Sequence, residues 1–177
     1  MRYAFSIAIF LCLASSAFAQ HDLKPGMKEL DFTLPYATQD TINFSGVRLS
    51  NYLGKENVVL AFYPADWSSG CTMEMCTIRD NFSKLSTLHA VVLGISGDYV
   101  FTHHEWAQYQ HLPIMLLSDH SDSVARMYNS FNPKNGFNKR TVFVINKEGK
   151  IVYEDMHYDP SGLNSFNKLR EAVAKLG

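Results

Sequence analysis

The chain has 177 residues, 46% of them hydrophobic, with 16 Lys and Arg against 17 Asp and Glu. That length suits one domain with a sizeable core, and a net charge of −1 excludes the basic stripe that binds nucleic acid. No repeat or low-complexity tract interrupts it, which excludes a solenoid and a disordered interaction tail.

Residues 1–19 read as a secretory leader. Arg2 gives a positive start, Ala4 to Leu13 an apolar core, and Ala17-Phe18-Ala19 small residues ahead of a cut before Gln20. The apolar core is short against the ~20 residues of a membrane span, so no membrane association is expected after the cut. Cys12 follows Leu11 rather than Gly or Ala, so it is not a lipid-attachment site and leaves with the leader. The domain is then 20–177, secreted or periplasmic, with Cys71 and Cys76 in an oxidising compartment.

Lys24-Pro25-Gly26 opens a loop. Asp31 to Leu34 and Thr41 to Phe44 read as short strands around Thr38-Gln39-Asp40, and Leu49 to Gly54 as a helical turn closed by Gly. Val58 to Tyr63 is a continuous apolar run, the pattern of a strand buried on both faces. From Ser69 to Leu88 the period is helical, with Met75, Ile78, Phe82, Leu85 and Leu88 on one stripe. Ala90 to Ser96 is the next strand, Phe101 to Tyr109 a helix, Ile114 to Leu117 a strand, and Ser121 to Tyr128 a helix with Asp119 or Ser121 near its cap. Thr141 to Ile145 and Lys150 to Glu154 form a hairpin around Asn146-Lys147-Glu148-Gly149. Gly162 to Leu176 closes the chain as a helix, with Leu163, Phe166, Leu169, Val173 and Leu176 as its apolar stripe. Strands alternating with helices, then a hairpin, give an α/β sandwich around a mixed sheet.

The chemistry concentrates in Phe62-Tyr63-Pro64-Ala65-Asp66-Trp67-Ser68-Ser69-Gly70-Cys71-Thr72-Met73-Glu74-Met75-Cys76. A strand here delivers Cys71 to a helix start, where unpaired N–H groups and the positive dipole end favour a thiolate. An ordinary thiol has pKa ≈ 8.5, so full ionisation near pH 7 gains only ~30-fold, roughly 2 kcal/mol of barrier. Fast chemistry therefore needs orientation of the substrate and stabilisation of charge on a leaving atom. Pro64 presents no competing N–H and walls the sulfur from water, while Ser68 exchanges a hydrogen bond with an incoming oxygen.

The spacing P-x-x-x-[TS]-x-x-C (Pro64, Ser68, Cys71), followed by Thr72-x-Glu74-x-Cys76, resembles the peroxiredoxins of the AhpC/TSA family. Within them it is similar to the bacterioferritin comigratory protein (PrxQ) group, with its second cysteine five residues after the first. The resemblance extends from about Lys24 to Leu176 through Asp31-Phe32-Thr33-Leu34-Pro35, Gly94-Ile95-Ser96, Leu117-Ser118-Asp119 and Arg140-Thr141-Val142-Phe143-Val144-Ile145. It implies a thioredoxin-like fold with an N-terminal extension, and a thiol peroxidase acting on hydrogen peroxide and organic hydroperoxides without metal, flavin or haem. It also implies Cys71 as the peroxidatic residue, Cys76 as the resolving one, Arg140 against thiolate and peroxide, a thioredoxin-like dithiol protein as reductant, and a monomer. Ser69 replaces the usual proline, Ser68 the commoner threonine, Asn146 an Asp and Val142 a Ser or Thr.

On one helix, residues 71 and 76 are separated by a rise of ~7.5 Å and a Cα distance of roughly 8–9 Å. A disulfide wants Cα atoms within ~7 Å, so the implied Cys71–Cys76 bond requires the helix start to unwind, a cheap event in a first turn. Two other readings compete. Cys71, Met73, Met75 and Cys76 are soft ligands suited to Cu(I), but His103-His104 face apart on a helix and Met75 belongs to the apolar stripe. A general disulfide oxidoreductase normally uses C-x-x-C, which is missing. Glu74 suits a first helical turn without a catalytic role, Asp66 is a loop acceptor, and Trp67 packs or caps the pocket.

Overall fold

The computed structural model describes residues 23–176; the expected leader, Cys12 and the cut before Gln20 lie outside the described residues. In chain order the strands are β1 (Thr33–Ala37), β2 (Ile42–Arg48), β3 (Asn57–Phe62), β4 (Ala90–Ser96), β5 (Met115–Ser118), β6 (Phe131–Asn132), β7 (Phe137–Asn138), β8 (Thr141–Ile145) and β9 (Ile151–Asp155). The helices are α1 (Ser69–Asp80), α2 (Phe82–Ser86), α3 (Val100–Gln110), α4 (Ser123–Met127) and α5 (Leu163–Ala174).

Seven strands form one mixed sheet in the order β2-β1-β5-β4-β3-β8-β9, and β6 and β7 make a separate hairpin. β3, β4 and β5 run parallel while β8 lies antiparallel beside β3. Because side chains alternate along a strand, β3 divides the core. Val59, Ala61 and Tyr63 point into a cluster with α1, α2, α3 and α5, and Val58, Leu60 and Phe62 into a second one with α4 and the N-terminal segment. All six β3 residues are buried, Val58 to Phe62 as the apolar run predicts and Asn57 ahead of it. The result is the thioredoxin-like α/β sandwich.

Three local expectations need correction, and one hairpin was not expected. β1 and β2 reach further toward the C-terminus than the expected segments, and their pairing slips between Leu34 and Tyr36, around Pro35, which has no N–H to give the ladder. The helix expected over 69–88 is two: Asn81 leaves helical geometry (φ −116°, ψ 12°) and its side-chain amide bonds Thr77 O at 2.9 Å. Met75, Ile78 and Leu85 still face the core across that break. In α5 the stripe begins at Phe166; Leu163 is exposed, and buried Ser165 accepts a bond from the Asp159 N–H. The β6–β7 hairpin has strands too short to show any period.

Candidate active site

β3 runs parallel to β4, and the chain leaves its carboxyl end through 63–68 before entering α1. Open α/β sheets hold their ligands at that edge. Several bonds fix the turn. The Tyr63 N–H donates to Ile95 O (3.1 Å), the Asp66 N–H to Asp98 Oδ2 (2.8 Å) and the Ser68 N–H to Asp66 O (2.8 Å). Trp67 sits in the left-handed region at φ 61°, where a bulky residue stays only if its surroundings hold it. Its indole packs on Tyr109 of α3, ring centroids 5.5 Å apart.

Ser68 takes the N-cap place of α1 with extended backbone, yet its side chain caps no N–H. The hydroxyl donates to Ala65 O at 3.1 Å instead. The first-turn N–H groups of a helix have no intrahelical acceptor, so here they and the Ser68 lone pairs remain for the oxygens of a ligand. Pro64 is half-buried just ahead of them.

Cys71 is in the first turn of α1, fully buried in the cluster that contains Val59, Ala61, Tyr63 and Met75. Apolar packing is only part of its setting, because the Arg140 guanidinium interacts with its thiol. Arg140 immediately precedes β8 and donates from Nη1 to Glu74 Oε2 at 2.7 Å. Burial works against the Arg140 charge, but Cys71 and Glu74 outweigh it and hold the guanidinium above its ordinary value. Glu74, one helical turn beyond Cys71, is completely buried, and its second oxygen has no partner. Burial, only partly offset by Arg140, pushes its carboxyl up to about 7. Gly70 completes the arrangement: a Cβ there would lie 2.7 Å from Arg140 Nη2, so the guanidinium needs the bare backbone beside it.

Cys76 lies on the same unbroken helix, half-buried, and its Sγ donates to Gln110 Oε1 at 3.5 Å. Burial raises this thiol, opposed by Arg79 and reinforced by Asp80. Arg79 Nη1 donates to Gln110 O at 2.6 Å, so the end of α3 holds the last turn of α1. Both cysteines are free.

Met75 is in the core, as its place in the apolar stripe predicts. His103 and His104 diverge: His103 Nδ1 faces Asp66, and His104 Nδ1 faces the Thr38 carbonyl. Sequence reasoning placed Tyr63 in this stretch but missed its bond to Asp66, and it missed Gln110, Asp98 and His103 as parts of this region. Their polarity is the only signal, and it also describes many solvated residues.

A thioredoxin-like sheet built for disulfide exchange places two sulfurs where they meet without unfolding; here the first sulfur faces an arginine, and the second is held by another helix. That difference marks the class of thiol-dependent peroxidases. Residues 25–154 match the AhpC/TSA family, and the chain belongs to it. A Bcp-type relative from Coxiella burnetii is 39% identical over 135 residues, which are 73% of this chain and 85% of its own length. Peroxiredoxin Bcp of Bacillus subtilis is 37% identical over 114 residues, 61% of this chain and 72% of its own. The crystal structure of peroxidoxin BcpB from Mycobacterium tuberculosis superposes with a TM-score of 0.77 at 30% identity, covering 88% of this chain and 99% of that one.

Proposed function

We propose that this thiol peroxidase reduces hydrogen peroxide and small organic hydroperoxides through Cys71, with Cys76 as the resolving cysteine. The observation that carries the reading is the Cys71–Arg140–Glu74 constellation at the start of α1. The guanidinium and the first-turn N–H groups lie where charge moves as a peroxide bond breaks.

In the first step the Cys71 sulfur attacks the near oxygen of the peroxide. An S–O bond forms, the O–O bond breaks, and the departing alkoxide or hydroxide takes a proton and leaves as alcohol or water. Arg140 and the first-turn N–H groups stabilise the charge that moves onto the leaving oxygen, and Ser68 orients the peroxide. Pro64 keeps bulk water away. In the second step α1 unwinds at its start, the Cys76 thiol attacks the sulfenic sulfur, and the S–S bond forms as water leaves. A dithiol protein of thioredoxin type then reduces the disulfide by exchange, becoming oxidised itself. The leader-like residues 1–19 support export and a secreted or periplasmic site of action, tested by finding Gln20 as the N-terminus of the protein recovered from its native compartment. A disulfide closed within one chain is consistent with a monomer, which sedimentation of the protein checks.

Peroxide consumption with a dithiol reductant tests the roles. Cys71→Ser abolishes turnover, whereas Cys76→Ser reacts once and stalls one oxygen atom heavier by intact mass. Normal turnover by Cys71→Ser would overturn the reading.

A further inference from the structure

Behind the 64–68 turn lies a set of polar groups that the reaction above does not use. Asp66 is buried, and besides the carbonyl oxygen that accepts from the Ser68 N–H its three other hydrogen-bonding groups are engaged. Oδ1 accepts from the Tyr63 hydroxyl at 2.7 Å, Oδ2 meets His103 Nδ1 at 2.8 Å, and the N–H donates to Asp98 Oδ2 at 2.8 Å. His103, in the middle of α3, is completely buried, and its Nε2 lies 3.2 Å from the carbonyl oxygen of Leu117 in β5. A carbonyl only accepts, so Nε2 carries a proton. Nδ1 then bonds Asp66 Oδ2, so the ring ties the turn to β5 through its two nitrogens. Asp98 is the other charged group facing the turn, and it is tied to the Ser96 hydroxyl at 2.8 Å. Burial, reinforced by Asp66, keeps the Tyr63 hydroxyl protonated and able to donate.

The next residue along the chain, Trp67, is in the left-handed region, and the one after it caps the helix that carries Cys71. A turn in that conformation persists only if something outside it over-determines its geometry. Trp67 packs on α3, and the Asp66 carboxylate is hydrogen-bonded to the same helix; a buried carboxylate stays only when its partners satisfy it.

We propose that His103 is a positioning residue of the peroxidase reaction: by holding the Asp66 carboxylate from α3, it keeps the 64–68 turn and the start of α1 in the arrangement that presents Cys71 to peroxide. The proposal rests on the peroxidase reading of Cys71. It has a consequence that simple structural support lacks. Releasing Asp66 lets the turn relax and the helix start open, which slows attack on peroxide but does not slow the later step, in which the helix must unwind for Cys76 to reach Cys71. The two steps therefore respond in different directions.

The test is stopped-flow tryptophan fluorescence of the reduced protein mixed with hydrogen peroxide. The peroxide-dependent phase reports oxidation of Cys71, and the peroxide-independent phase reports disulfide formation. His103→Gln keeps a donor toward the Leu117 carbonyl but none toward Asp66; the expected result is a roughly tenfold or greater loss in the first rate constant, with the second unchanged or faster. His103→Asn, whose shorter amide reaches the Nδ1 position, restores most of the first rate constant. Should His103→Gln fail to fold, Asp66→Asn carries the same expectation. An unchanged first phase in folded His103→Gln, equal slowing of both phases, or an Asn variant as impaired as the Gln variant would each overturn the proposal. Wild-type protein with no peroxide-dependent phase would sink the peroxidase reading and this role together, whereas a normal wild-type trace beside an unaffected His103→Gln sinks the role of His103 alone.

Discussion

The two cysteines of α1 are separated by little more than one helical turn, yet their surroundings differ in kind. Around Cys71 the fold is over-specified: the sulfur is fully buried, a guanidinium from the β8 side meets it, and a buried carboxylate fixes that guanidinium. Around Cys76 there is one long hydrogen bond to an amide at the end of α3, with solvent close by. A reaction that must hold one sulfur still and later move the other needs this asymmetry. Rigidity is concentrated where charge develops, and the part that must travel is only lightly held.

Arg140→Lys should weaken the rigid end most. An ammonium lacks the planar set of donors that serves Glu74 and Cys71 together. Losing a donor at developing charge costs on the order of 10²–10³ in rate, so the peroxide-dependent phase should fall about 100-fold while the fold is kept. A circular dichroism spectrum alongside the kinetics checks both.

Glu74→Gln should come next, with about a tenfold loss in the same phase (one lost charge-assisted bond, ~1.4 kcal/mol) and a change in pH dependence. Burial raises the Glu74 carboxyl from 4.5 to about 7. Between those values the folded chain binds a proton that the unfolded chain has lost, so this group's contribution to stability falls as pH rises through that window and is level above it. Urea melts at about pH 5 and about pH 8 should show a drop in wild type that shrinks in Glu74→Gln. A drop of equal size in both would remove Glu74 as its source.

The smallest effect belongs to the loosely held end. Gln110→Ala removes the acceptor of the Cys76 thiol and leaves the Arg79 bond to the backbone carbonyl of residue 110 in place. Disulfide formation should quicken about twofold, consistent with one weak bond of under about 1 kcal/mol. The peroxide-dependent phase should not change. Slowing of that first phase would mean that the two ends of α1 are not independent.

Much of this was visible in the chain before any coordinates, and the reasons are physical. β3 and β4 announce themselves because strands covered on both faces read as near-continuous apolar runs. The Pro64–Cys71 spacing survives because backbone geometry ties those residues within one turn. Arg140 was found through resemblance alone, since an arginine before a strand carries no local signature of its partner. The break at Asn81 was hidden by apolar spacing that continues across it. The pairing of Asp66 with His103 was hidden more deeply. Thirty-seven positions separate the two residues, and each looks solvated until the fold brings them together.

Gly70 has a consequence for how a silent form of this protein could arise. The atom that a side chain there would crowd is the far end of Arg140, which can give way only by leaving buried Glu74. A single methyl group at that point would therefore part the sulfur from its companion charge without touching the sulfur itself.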